Sequence, residues 1–193
     1  MNSSPRQPLS RMVSIFLLAA LVLTGGCSTM SVEDYRDRTP HFDLFDYFNG
    51  QTRGWGMVQD RAGRLKRQFV VDILVRLDES DNLVLEEDFV WNDGEKSRRV
   101  WTITRGDDGR LSGTAADVVG AASGASGGNA LNWRYNLALQ VDGSTWVITF
   151  DDWMFLQPDD VLLNRAEMSK FGFRVGDVTI AFQKQSVSGR KSL

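Results

Sequence analysis

From residue 51 onward, apolar and polar positions alternate with a period of two. Turn signals break the alternation at near-regular intervals: 60–64, 78–82, Asn92-Asp93-Gly94, 106–109, Asp142-Gly143 and 157–160. The runs between them are rich in Val, Ile, Phe, Trp and Thr, residues that suit a half-buried pleated surface. The pattern predicts an antiparallel meander.

Two hairpins carry a checkable register. Asp142-Gly143 joins 130–141 to 144–156, and both turn positions tolerate positive φ. That turn sets Leu139 opposite Trp146, Leu137 opposite Ile148, Tyr135 opposite Phe150 and Leu131 opposite Met154, all on one face. Asn136 with Thr149 and Arg134 with Asp151 then share the other. A second hairpin pairs 66–77, with Phe69, Val71, Ile73, Val75 and Leu77 on one side, against 83–91. Asn92-Asp93-Gly94 suits a three-residue loop ending in a left-handed glycine, which aligns Trp101 with Leu85 and Ile103 with Leu83.

Further strands are expected at 54–59, 110–117 and 177–184. The segment 161–170 reads as a strand, although Leu162, Ala166 and Ser169 also fit a helical stripe. Before the first strand, Thr39-Pro40 offers a cap and a first-turn proline, and Phe42, Phe45 and Phe48 follow on a three-residue spacing. The expected fold is therefore all-β: an up-and-down antiparallel β-barrel of eight to ten strands, with a short N-terminal helix plugging one end. Closure removes the sheet edges, and a barrel of this size either holds one small ligand or is filled by its own side chains.

The N-terminus reads differently. Arg6 and Arg11 precede an apolar run from Met12 to Val22, then Thr24, Gly25, Gly26 and Cys27, which is the layout of a secretory signal peptide, 1–26. The run is about half of the ~20 residues needed to span a bilayer. Cys27 is the single cysteine, so no disulfide framework exists, and its position marks it as a lipidation site. The expected division is signal peptide 1–26, lipid anchor and spacer 27–38, and one barrel domain 39–193. Ser28, in place of the Asp that retains lipoprotein at the inner membrane, favours the outer membrane, facing the periplasm. The signal peptide takes two basic and no acidic residues from totals of 22 Lys+Arg and 25 Asp+Glu, leaving the mature chain at −5. That charge argues against a nucleic-acid partner.

In these registers three ionisable side chains point to the apolar face: Glu87, Arg99 opposite it, and Asp152 beside Trp133. Burying a charge is costly unless it is paired or meets a ligand. Either Arg99, oriented by Glu87, receives an anionic head group, or the group is a self-satisfied internal pair. Trp101, Trp133, Tyr135 and Trp146 would line the same interior, and the six tryptophans serve equally as cavity wall or as core. No catalytic residue, metal site or cofactor is expected. The run 120–128, GAASGASGG, formally contains a Gly-x-Ser-x-Gly pattern, but the only histidine is His41, so a flexible loop at the barrel mouth is the reading. Asp151 and Asp152 point to opposite strand faces and cannot act as a facing acid/base pair.

Five stretches, FDLFDYFNGQTRGWGM (42–57), LEEDFVWNDGEKSRRVWTIT (85–104), GNALNWRY (128–135), TWVITFDDWMF (145–155) and LNRAEMSKFGFRVG (163–176), resemble the Gram-negative envelope lipoproteins of domain of unknown function family 3833. The resemblance implies an envelope location and carries over no reaction. The build also resembles the calycin, or lipocalin-like, barrels, in which a Gly-x-Trp motif follows a short helix. Here Phe48-Asn49-Gly50 and Gly54-Trp55 take similar places with a different spacing. The functional expectation is a membrane-tethered barrel that binds or handles a lipid or other apolar small molecule. The alternative is a structural or interaction lipoprotein with a filled barrel.

Overall fold

The computed structural model describes residues 30–141 and 143–185. The signal-peptide, Cys27 and Ser28 readings, together with Asp142, lie outside the described residues. The chain divides into two compact units at Ser31/Val32, and the second is the barrel.

Ten strands follow one another: β1 (Gly50–Asp60), β2 (Leu65–Leu77), β3 (Leu83–Trp91), β4 (Lys96–Arg105), β5 (Leu111–Thr114), β6 (Ala122–Gly127), β7 (Ala130–Val141), β8 (Ser144–Leu156), β9 (Val161–Lys170) and β10 (Phe173–Lys184). Each pairs antiparallel with its sequence neighbours, and β1 pairs with β10, so the sheet closes into an up-and-down barrel. The expected registers hold. Tyr135 faces Phe150, Glu87 faces Arg99, and Trp101 faces Leu85. Gly94 supplies the left-handed position, at φ +87°, in the β3–β4 turn.

Apolar side chains turn inward, where Val71, Leu83, Leu131 and Leu162 are almost wholly buried. The outer face carries ion pairs such as Arg53–Asp72, Arg76–Glu86 and Arg134–Asp151. This arrangement is the inverse of a membrane-spanning barrel, whose outward face is an apolar band. Leu77, expected on the inner face, is exposed because it lies at the very end of β2.

A one-and-a-half-turn helix, α1 (Leu44–Phe48), closes one barrel end. Its cap is Asp43, whose carboxylate accepts from the Phe45 and Asp46 amides, and not Thr39, which precedes a cis proline four residues earlier. Phe42, Leu44, Tyr47 and Phe48 are buried, Phe48 packs edge-on against Phe182 of β10, and the Tyr47 hydroxyl donates to the Asp160 carbonyl at 3.0 Å.

One expectation is corrected. The stretch 120–128 is not a mouth loop, because most of it is strand β6. Its small residues are needed for clearance: a Cβ on Gly124, or on Gly113 of β5 at 2.7 Å, would meet the indole of Trp133. A short 3₁₀ turn, Val32–Tyr35, lies on the barrel wall, where a Cβ on Gly127 or Gly128 would strike the Val32 and Tyr35 backbone. Tyr35 packs edge-on against Phe155, 5.1 Å between ring centres.

Candidate functional site: the barrel interior

The barrel holds a partly open cavity of about 600 Å³, running from Leu44 and Phe48 of the plug to Trp91, Gln140 and Val141 at the opposite end. Most of its wall is aliphatic or aromatic. Four rings form a contiguous bank: Trp101 lies edge-on to Trp133 (5.8 Å) and to Tyr135 (5.3 Å), and Tyr135 stacks on Phe150 (5.2 Å, 5° between planes). Three of the six tryptophans line the cavity, Trp91, Trp101 and Trp133. Trp146, expected inside, stands at the rim, 38% exposed, with Lys170 Nζ 3.1 Å from its ring centre. Trp55 is exposed, and Trp153 packs against Tyr35 and Phe155.

Besides Arg67, Glu95, Ser97, Arg98 and Gln140, polar groups interrupt this wall at one level. Arg99, Glu87 and Asp152 all line the cavity, as the registers require. Their pairing differs from expectation. The Arg99 guanidinium binds Asp117, with Nε 3.1 Å from both carboxylate oxygens and Nη2 2.7 Å from Oδ2, whereas Glu87 Oε2 is 3.8 Å from Nη1. Asp117 is presented by the β5–β6 connection, which is laid along β7 by the Ala138 amide donating to the Asp117 carbonyl and the Val119 amide donating to Asn136. Its side chain can therefore reach in from outside the regular registers. Bidentate pairing of this kind is the stronger mode for an arginine, so Arg99 is already neutralised.

On the facing wall, Asp152 Oδ2 accepts from the Tyr135 hydroxyl and from Asn164 Nδ2, both at a long 3.4 Å. Asp151, next in sequence, points outward to Arg134, 3.5 Å away. Burial pushes the Glu87 carboxyl up to about 7, against the downward pull of Arg99 and the Trp101 indole. Burial likewise raises Asp152 to about 7, outweighing its two hydrogen bonds and reinforced by the neighbouring charges of Asp151 and Glu87. Tyr135 is raised by burial and by the charge of Asp152. Glu87 Oε2, Asp152 Oδ1 and Asn164 Oδ1 are shielded from solvent and accept no hydrogen bond from any described residue.

Two members of this cluster escaped the sequence reading. Asn164 was accessible in principle, since Leu162, Asn164 and Ala166 alternate on β9 exactly as an inward face requires. Asp117 was not, because the strand expected over 110–117 ends at Thr114 and leaves Asp117 on a connection, outside any strand register.

Residues 21–184 match the family model described as "Protein of unknown function (DUF3833)", which spans every strand of the barrel. The chain belongs to that family. Among curated proteins none matches it. In this DUF3833 member, no group of three or more His, Cys, Asp or Glu among the described residues is placed to hold a metal ion, and His41 is exposed on the plug segment. What the interior offers is shape, apolar surface and a buried polar level, the usual composition of a small-molecule site.

Proposed function

We propose that this protein is a lipid-anchored envelope protein whose barrel binds the apolar body of a lipid or similar amphiphile. The observation that carries the reading is the 600 Å³ interior with its aromatic bank, well inside the roughly 300–1,000 Å³ range of small-molecule sites. A filled structural barrel, the competing reading, has no use for an interior of this volume and does not explain a buried polar level with unmet acceptors.

The rim supports the same reading. In an up-and-down barrel alternate turns share an end, so the β9–β10 turn lies at the end opposite α1. Phe171 and Phe173 project there, 89% and 77% exposed, with Lys170 between Phe171 and Trp146. Phe171 holds a left-handed φ of +52°, a costly conformation for an aromatic residue. Aromatic side chains beside lysine are the residues that settle at a bilayer interface, which suits a mouth that exchanges ligand with a membrane. Attachment rests on Cys27: metabolic labelling with a fatty-acid analogue is expected to tag the protein, and Cys27→Ser is expected to abolish the tag. For the barrel, extraction of the gently purified protein is expected to release a stoichiometric amphiphile. Ala166→Phe, which thrusts a ring into the cavity opposite Asp152, is expected to exclude it.

A further inference from the structure

The polar level of the cavity has more acceptors and more negative charge than it can satisfy. Three carboxyls, Glu87, Asp117 and Asp152, face one guanidinium, and Asp117 takes most of that guanidinium's hydrogen-bonding capacity. The three buried atoms of the level that lack partners are all oxygens: Glu87 Oε2, Asp152 Oδ1 and Asn164 Oδ1. Asp152 and Asn164 are only 5% and 4% exposed, so bulk water does not make up the deficit. A buried acceptor left unmet costs about 1–3 kcal/mol.

We propose that this level is a head-group subsite for a cation, a protonated amine carried on an apolar chain, rather than for the anionic head group that Arg99 alone suggests. An ammonium brings a positive charge and three N–H donors, which suit Glu87 and Asp152, the two carboxyls of the level that accept no hydrogen bond from Arg99. The faces of Tyr135, Trp101 and Phe150 beside the carboxyls suit a cation as well. The apolar chain then lies along the rest of the cavity, so the inference rests on the amphiphile-binding reading above. Glu87 faces Arg99, Asp117, the Trp101 indole and Tyr135. Asp152 faces Asn164 and Tyr135 and feels Asp151 and Glu87. Both carboxyls lie near 7, so they change from mostly protonated to mostly ionised between pH 6 and 8, while an alkylamine, with a lysine-like value of roughly 10, stays charged throughout.

The test uses a chain beginning at residue 28, which retains the whole compact unit from Val32 and every strand pairing. Tryptophan fluorescence is titrated with dodecylamine, dodecanol and dodecanoate at pH 8. The amine is expected to bind about tenfold more tightly than either other probe, a difference of about 1.4 kcal/mol. Its affinity is expected to fall as pH drops to 6. In Glu87→Gln and in Asp152→Asn, each checked for folding by thermal melt, the preference for amine over alcohol is expected to disappear. Dodecanoate binding as tightly as the amine overturns the inference, as does an amine preference that survives both substitutions. Dodecanol binding with no amine preference sinks the cationic subsite while leaving the amphiphile-binding barrel intact, whereas failure of all three probes defeats both.

Discussion

Arg99 closes on Asp117 with Nη2 2.7 Å from Oδ2, and leaves Glu87, its direct cross-strand partner, 3.8 Å away. The identity of the counter-ion decides what the cavity can hold. Asp117→Asn removes that counter-ion and frees the guanidinium, so dodecanoate affinity is expected to rise about tenfold relative to the parent. The substitution is also expected to lower stability by about 1–3 kcal/mol, less than for a fully buried pair, because both side chains retain some solvent contact. Denaturant titration alongside the binding curve checks both outcomes. Unchanged dodecanoate affinity means that Arg99 is not available to ligand even when unpaired.

Stability should also depend on pH in the direction set by the two raised carboxyls. Glu87 and Asp152 lie near 7 when folded and near the ordinary carboxylate range when unfolded. Between those values the folded chain binds more protons, so these groups make the protein lose stability as pH rises from about 4 to 7, with no further change above that window. Asp152→Asn removes one such group. It is expected to be more stable than the parent at pH 8, by roughly 2–4 kcal/mol, with the gap closing at pH 4. Thermal melts at the two pH values measure this, and an equal gap at both would contradict it.

Trp133 sits against the bare backbone of Gly124 and Gly113, which is why β6 reads as low-complexity sequence yet forms barrel wall. Gly113→Val is expected to cost about 1–3 kcal/mol by forcing the indole or the strand to move. Ser112→Ala, on the exposed face of the same strand, is expected to stay within about 0.5 kcal/mol. Chemical denaturation of the pair provides the comparison.

The plug depends on Asp43, which caps α1 and pairs with Arg105 at 2.7 Å. Burial alone would raise its carboxyl, but Arg105 and the Phe45 and Asp46 amides together hold it below the ordinary value. The stabilisation is therefore present at neutral pH and lost as pH falls through that lowered value. Asp43→Ala is expected to cost about 0.5–2 kcal/mol and to speed hydrogen exchange in α1 more than in β7 and β8.

Alternation along β2, β3, β7 and β8 made the barrel legible, because a slip of one residue would have turned Val71, Leu85 and Leu137 to solvent and charges to the core. The same registers placed Glu87, Arg99 and Asp152 inside. They could not place Asp117, which reaches the cavity from a connection, nor reveal that Arg99 prefers it to Glu87. The glycine run 120–128 misled for a related reason: a strand whose role is to make room for a neighbouring indole carries no apolar signal of its own. Trp146 follows the alternation and yet does not line the cavity, since periodicity reports a strand's face and not the partner, here Lys170, that holds a side chain at the rim.

Native mass spectrometry of the gently purified barrel is the most direct measurement of a hollow, ligand-holding interior. One amphiphile per chain is expected in the parent and none in Ala166→Phe at unchanged melting temperature. A parent that carries no adduct, and takes up none when offered dodecylamine, dodecanol or dodecanoate, would contradict it.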